Sequence, residues 1–480
     1  MIASATDVVR AVLTGFDWFV LVYFLILNSS YLFLIVVAAL TAWHQLRRPS
    51  TAGDEDIFAN PCTPPISVIL PAYNEQECVV ESARSVLSLR YPEFEVVIVD
   101  DGSTDETFAR LDAEFDLVEL DVRLDSDIAT MGAVRSVHTA RNDDSLVVVR
   151  KDNVGKRSDA LNTGLNAARH PLVCCMDADS LLESDALLRV ARPFVEDPDR
   201  MIATGGSIRA VNGSTVYRGR LTSFGQPRSW LARIQIIEYL RSFLLGRTGW
   251  SRFRGLLIIS GAFGLYRRDL VAAVGGFDTD SLGEDADLVV SLHRLMRDRG
   301  EDYRIAFLPD PVCWTEVPST AKVLGTQRRR WSHGLGQVLW KHRSMMANPR
   351  YGRVGMVSMP YYLAFELLGP IVELVGVVAV IVGLLIGAVS VQFALLFATV
   401  AFLFGALVSM SALLVEEVVY HKYGRWRDVA VGLLAAVFEN IGYRQVHAWW
   451  RLKGLYDFVR GNESPWGVMT RTGFDTEVTS

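Results

Sequence analysis

From Trp18 to Trp43 the chain runs 26 residues without an Asp, Glu, Lys or Arg. At about 1.5 Å per residue, such a helix crosses a hydrocarbon core of roughly 30 Å once, with tilt. Leu374 to Val415 is a second uncharged run, of 42 residues, and predicts two spans joined by a tight turn near Gly387–Gln392. Met356–Gly369 is apolar but short and is broken at Pro370. Val429–Phe438 has only ten uncharged residues. Both are open between interfacial and re-entrant segments. The middle of the chain has a different rhythm. Ile66–Leu70, bounded by Pro65 and Pro71, Glu95–Val99, Leu146–Val149 and Leu172–Met176 are short apolar runs that predict buried strands. Between them, Glu75–Leu89, a stretch through Phe108 and Leu111 capped by Thr104, and Lys156–Ala168 carry helical spacing. Strand alternating with helix predicts right-handed crossovers and a mainly parallel sheet, an α/β domain.

Composition sharpens this picture. Of 480 residues half are apolar, 21% are charged, and the mean hydropathy is +0.23. That excludes a disordered chain and argues against an ordinary soluble enzyme. A net charge of −6 and a pI near 5.8 give no support to nucleic-acid binding. Five cysteines (Cys62, Cys78, Cys174, Cys175, Cys313) form no CxxC pair, so neither a disulfide framework nor a structural zinc site is expected. The first apolar run is longer than a signal peptide's and ends in Trp43-His44, which predicts an anchor rather than a cleaved leader. Arg47 and Arg48 after the first run, and Lys422, Arg425 and Arg427 after the last, place residues 44–353 in the cytoplasm and the N-terminus outside by the positive-inside rule.

Three polar clusters fall at the carboxyl ends of the strands: Ala72-Tyr73-Asn74-Glu75, Asp100-Asp101-Gly102-Ser103 and Asp177-Ala178-Asp179. In open α/β sheets that edge binds ligands. Asp177 and Asp179 supply hard oxygen ligands suited to Mg2+ or Mn2+, which takes the rest of its shell from water and phosphates. The bland alternative is a helix N-cap at Asp179-Ser180, opening the helix with Leu187 and Leu188. Gly283-Glu284-Asp285 precedes an apolar helix over Leu288–Leu295. Its acids are either a first turn favoured by the helix dipole or a general base for an attacking hydroxyl. Residues 321–353 hold eight Lys or Arg and no acid, and read as a basic amphipathic helix at a membrane surface. Within it, the guanidinium groups of Gln327-Arg328-Arg329-Arg330-Trp331 suit diphosphate oxygens, and the indole suits a sugar face.

The order of motifs resembles the membrane-embedded, processive family 2 glycosyltransferases, the cellulose, hyaluronan, chitin-oligosaccharide and poly-N-acetylglucosamine synthases. It runs ISVILPAYNE, VVIVDDGSTD, GKRSDALNTGL, MDADS, ISGAFGLYRRDLVAAVGGFD, GED and QRRRW, ahead of membrane helices, over roughly residues 64–420. The resemblance implies a Rossmann-like GT-A catalytic domain over 64–320. A membrane helix over 1–48 precedes it; basic interface helices over 321–353, membrane helices over 354–460 and a polar tail over 461–480 follow. It implies a UDP-sugar donor, Mg2+ or Mn2+, and a protein of the plasma membrane in contact with its lipid. Ala72, Tyr73, Glu75 and Asp101, with Asp100 beside them, would line the uridine pocket, and Lys156 would reach the nucleotide. Asp177 and Asp179 would hold diphosphate and metal. Ser260-Gly261 would lie near the acceptor, and Asp285, with Glu284, would supply the base. Gln327, Arg330 and Trp331 would close over the donor diphosphate and acceptor sugar.

Gly283 stands where the family has threonine, so the Glu-Asp pair remains and a hydroxyl is lost. With few clear spans, a polymer channel needs the ambiguous segments, a second protomer or an accessory export subunit. Glu366 and Glu373, seven apart on one helical face, are expected to face a polar path or a partner group, or to make a purely structural buried pairing. The expected activity is inverting transfer to a growing β-linked polysaccharide, coupled to secretion. The alternatives are single addition to a lipid-linked acceptor and a catalytically dead export subunit. Residues 121–145 show no usable motif.

Overall fold

A computed structural model describes residues 5–46, 50–420 apart from 224, 226 and 228, then 426–462 and 475–476. Arg47, Arg48, Lys422, Arg425 and most of the polar tail lie outside these residues, and so does most of the charge pattern behind the expected orientation. Arg427, which is described, is exposed.

Residues 66–315 build one ten-stranded sheet. Its strands are β1 (Ile66–Ala72), β2 (Phe94–Asp100), β3 (Leu117–Leu120), β4 (Val134–Ala140), β5 (Asp143–Lys151), β6 (Leu172–Met176), β7 (Ser180–Leu182) and β8 (Met201–Ala210). A hairpin of β9 (Thr215–Tyr217) and β10 (Arg220–Ser223) lies apart, and β11 (Phe263–Arg267) and β12 (Arg304–Thr315) complete the sheet. The order is β3-β4-β5-β2-β1-β6-β11-β8-β12-β7. At its centre β5, β2, β1 and β6 are parallel, as the strand–helix alternation predicts. β8 and β12 are also parallel, but the other pairings correct the expectation of a mainly parallel sheet: β11 runs antiparallel to β6 and β8, β7 to β12, and β4 to both β3 and β5. The central strands are buried on both faces, so they read as continuous apolar runs. Strand β4 (VRSVHTA) sits near an edge and is half polar, which is why 121–145 shows no signal in the sequence.

Three helix starts also differ from expectation. The first helix begins at Val79 rather than Glu75, and the second at Thr107, with Glu106 rather than Thr104 flanking it. The residues after Asp179 form β7, and the helix with Leu187 and Leu188 starts at Ala186, so Asp179 is not its cap. The acidic first turn is as expected: the helix Glu284–Arg299 opens with Glu284, Asp285 and Asp287.

Two described helices are long and apolar enough to cross a membrane, with their apolar stretches at Ala11–Thr41 and Val391–Val418. A third span is available if the bent pair Val354–Leu367 and Gly369–Leu385 counts as one. The bend is 44°, with Pro370 in the first turn of the second helix. That bend corrects the single helical face expected for Glu366 and Glu373. Their carboxylates still meet one element, the helix Arg444–Arg460: Glu373 pairs with Arg444 (2.9 Å), and Glu366 pairs with Arg451 (3.1 Å) and accepts from Tyr31. A buried pair, Arg209 on β8 with Glu416 (2.5 Å), ties the sheet to the helix Phe404–Tyr420. The basic segment forms the helix Ala321–Lys341, which lies along Arg444–Arg460 and carries Arg329 against Asp457.

Candidate active site

The ends of β1 and β2 turn into loops that hold each other. The Asp101 N–H donates to Ala72 O (2.9 Å), the Asn74 N–H to Ser103 Oγ (3.0 Å), the Glu75 N–H to Thr107 Oγ1 (2.9 Å), and the Thr104 N–H to Asn74 Oδ1 (2.8 Å). Asp100 accepts from the Ser103 N–H (3.0 Å). Gly102 has φ +67°, and a Cβ there would meet Asn153 N at 2.8 Å, so this turn requires glycine. Tyr73 stands half exposed at the rim, and Ala72, Asp100 and Asp101 are buried beneath it. The four residues expected to line a nucleoside pocket, and Asp100, are therefore together.

Asp101 is held from below by a residue that sequence reasoning missed. The fully buried Lys151 donates to Asp101 Oδ1 (2.8 Å) and Asp159 Oδ2 (2.6 Å), and Asp159 also accepts from the Met131 and Gly132 N–H groups. Burial raises the Asp101 carboxyl above its ordinary value despite Lys151, whereas the hydrogen bonds to Asp159 outweigh its burial and lower it. The signal was present: Lys151 continues the buried alternation of β5 two positions beyond Val149.

The second missed residue is Arg157, at the start of the helix Arg157–Ala167. Its guanidinium donates to Asp177 Oδ1 (2.6 Å), Glu284 Oε1 (2.9 Å) and Gly261 O (2.9 Å). One side chain thus joins the end of β6, the loop before β11 and the first turn of the Glu284 helix. Lys156, the expected cation, turns outward to the exposed Asp280 (2.8 Å). Two adjacent cations begin that helix, and sequence alone does not say which faces inward. Burial works against the Arg157 cation, but Asp177, Glu284 and Asp285 raise its pKa. Burial raises the Glu284 carboxyl; Arg157 and Arg330 oppose that, and Asp285 adds to it. Arg330 is near enough to feel the charges of Glu284, Asp177 and Asp285. Asp285 is half-buried, and its Oδ1 accepts from the Ala286 N–H (2.8 Å). Ser260 Oγ accepts from the Ala262 N–H (3.3 Å), close to Gly261.

The helix of the QRRRW motif closes this side. Gly283 and Gly334 touch through their backbones: a Cβ on Gly334 would meet Gly283 N at 2.7 Å, and one on Gly283 would meet Gly334 C at 3.3 Å. The approach requires glycine at 334 and makes a tight contact for any side chain at 283, where the resemblance implies threonine. Leu282 N–H donates to Gln337 Oε1 (2.9 Å), and Lys341 and His342 hold Asp287 at 2.8 and 2.9 Å. Gln327 Oε1 is buried without a hydrogen-bond partner among the described residues, and Trp331 is 43% exposed.

Asp177 and Asp179 present carboxylate oxygens at the end of β6. The Asp177 side chain is 34% exposed; Asp179 is buried and accepts from Ser180 and Thr315. No group of three or more His, Cys, Asp or Glu among the described residues is placed to enclose an ion. This donor set fits a hard divalent cation that completes its shell with water and substrate phosphates, not a caged resident metal.

A family model described as glycosyltransferase like family 2 matches residues 64–334. The chain belongs to this glycosyltransferase family. A chitin synthase model matches residues 278–464 of the same transferase. Among curated relatives, a poly-β-1,6-N-acetyl-D-glucosamine synthase of Staphylococcus epidermidis is 32% identical over 274 residues, covering 57% of this chain and 55% of that protein. The synthase of the same name from Staphylococcus aureus (strain COL) is 31% identical with the same coverage. The chain therefore spans about half the length of these relatives. Among solved structures, the mannosyltransferase PcManGT from Pyrobaculum calidifontis, in complex with GDP-Man and Mn2+, matches with a TM-score of 0.52 at 22% identity. The match covers 88% of this chain and 99% of that one, and shows a shared fold.

Proposed function

We propose that this glycosyltransferase is a membrane-embedded, inverting hexosyltransferase. It takes a UDP-sugar and extends a β-linked polysaccharide, with secretion coupled to synthesis, its catalytic domain on the cytoplasmic side of the plasma membrane. The names of the relatives favour N-acetylglucosamine as the sugar. One observation carries the reading: Arg157 joins the Asp177 carboxylate to the Glu284 carboxylate, with Asp285 and Arg330 close by. Three carboxylates and two guanidinium groups thus share one centre, which supports reading it as the place where diphosphate, base and acceptor meet.

In the proposed reaction, Ala72, Tyr73, Glu75 and Asp101 seat the uridine, and Asp100 braces their loop. Arg330 faces the diphosphate, while Arg157 stays on Asp177 and Glu284 and orders the carboxylates around it. A divalent ion held by Asp177 and Asp179 would supply neutralisation of charge on the leaving diphosphate. Gln327 and Trp331 position the acceptor sugar near Ser260-Gly261, Gln327 through its unpartnered amide oxygen. Asp285 accepts the proton of the acceptor hydroxyl as its oxygen bonds to C1 of the donor, and the C1–O bond to UDP breaks with inversion. Glu284, locked by Arg157, holds Asp285 in place at the helix start.

The polymer would leave between the C-terminal helices, beside a cavity of about 90 Å³ lined by Glu238, Arg241, Glu373, Arg444, His447 and Arg451. The path would run within one chain or be completed by a second protomer or export subunit. Single addition to a lipid-linked acceptor is not favoured by relatives named as polymer synthases. Sizing the product made from labelled UDP-N-acetylglucosamine tests the proposal: a ladder of long products supports it, and one added sugar per acceptor refutes it.

A further inference from the structure

The QRRRW helix contains an arginine that the proposed reaction does not use. Arg328 lies one turn before Trp331 on the helix Ala321–Lys341 and is 2% exposed. Its guanidinium carbon sits 4.2 Å from the centre of the Trp331 ring. Its Nη2 donates to Glu238 Oε2 (2.8 Å). Glu238 in turn accepts from Tyr443 Oη (3.1 Å) and lies 3.5 Å from His447 Nε2. Tyr443 and His447 are stacked at 5.9 Å and line the cavity within the helix bundle.

An indole has two side-chain torsions, and Trp331 is nearly half exposed, so its own helix does not fix it. A planar cation over the ring removes that freedom, and desolvation strengthens the contact. Arg328 is itself held because its charge, buried, has a fixed carboxylate partner. We propose that Arg328 and Glu238 are positioning residues for Trp331: they brace one face of the indole from the bundle side and leave the other to the acceptor sugar. The proposal rests on the reading of Trp331 as the acceptor platform. It adds a physical link between that platform and the buried residues lining the cavity.

The test uses the full chain in nanodiscs with UDP-N-acetylglucosamine and a short β-linked N-acetylglucosamine oligosaccharide. Arg328→Lys keeps a charge for Glu238 but loses the planar face, and Glu238→Gln keeps the shape but loses the charge. Both are expected to raise the KM for the oligosaccharide about tenfold, or 1.4 kcal/mol, and to leave the KM for the donor within about twofold. In 5-fluorotryptophan-labelled protein, the 19F resonance lost in Trp331→Phe should shift in both variants. The placement is overturned if that resonance is unmoved, or if the two KM values change together in variants that melt like the wild type. If the wild type transfers nothing to the oligosaccharide, the proposed function fails, and the fluorine signal still decides whether Arg328 and Glu238 hold Trp331.

Discussion

Arg157→Gln removes the cation between Asp177 and Glu284 and keeps most of the side-chain length. The two carboxylates do not suffer equally. The Asp177 side chain, 34% exposed, regains water, whereas that of Glu284, 9% exposed, is left buried with Asp285 beside it. Breaking a buried pair from one side costs about 3–5 kcal/mol, and the partial exposure of Asp177 puts this case near the lower figure. For a catalytic domain of this size, about 3 kcal/mol corresponds to a fall in Tm of roughly 6–12 °C. Adding Glu284→Gln should recover about 2 kcal/mol, because the stranded charge is gone. The pH dependence has a definite sign. Burial already places the Glu284 pKa above its unfolded value of about 4.3, so its contribution to stability is full below that pH and is lost as pH rises through the folded pKa. Without Arg157 that pKa rises further, and the variant's deficit should be larger at pH 8 than at pH 5. Thermal and denaturant unfolding of the detergent-solubilised protein measure both effects. Additivity of the two substitutions within about 0.5 kcal/mol, or equal deficits at the two pH values, would refute the assigned role of Arg157.

Lys151→Met strands Asp101 and Asp159 and should destabilise by about 3–5 kcal/mol, with weaker UDP binding by calorimetry; unchanged affinity would separate Lys151 from the nucleotide loops. His293 is buried, with Nε2 donating to Leu256 O and Nδ1 facing the Tyr303 hydroxyl, and burial pulls its pKa from 6.5 to about 4. Its neutral form therefore contributes stability above pH 6.5 that is lost as pH falls toward 4, up to about 3 kcal/mol, and His293→Gln should flatten that limb of the stability profile. Chelation should abolish sugar transfer, and excess Mg2+ or Mn2+ should restore it in the wild type but poorly in Asp177→Asn; full turnover in chelator would remove the assigned role of Asp177 and Asp179.

The parts of this molecule that the sequence reveals are those where one force dominates. Strands β1, β2, β5 and β6 are buried on both faces, so burial alone writes them as apolar runs. Strands β4 and β7 are short or half exposed, and β8 contains two glycines, so no pattern separated them from loops. The tight turn between the paired spans is legible because 42 uncharged residues are too many for one span, and Ser390 caps the following helix there, its Oγ accepting from the Phe393 N–H (3.2 Å). In the site, motifs located the carboxylates, but not the cations that neutralise them. Lys156 and Arg157 are adjacent and chemically alike, and only the third dimension shows Arg157 turned inward and Lys156 outward. The glycine before Glu284 looked like a lost hydroxyl. It is a contact point, because the helix with Trp331 approaches the Glu284 helix backbone to backbone there. The bend at Pro370 likewise separated Glu366 from Glu373, yet both found arginines spaced seven apart on a single helix.

The most direct test of the account is the fate of labelled UDP-N-acetylglucosamine with Mg2+ and the purified full chain, wild type beside Asp285→Asn. The account predicts that the wild type builds a long β-linked product and that the variant binds UDP normally but incorporates sugar at least about a hundredfold more slowly. Full incorporation by Asp285→Asn, or a wild type that binds the donor and leaves it untransferred, would contradict it.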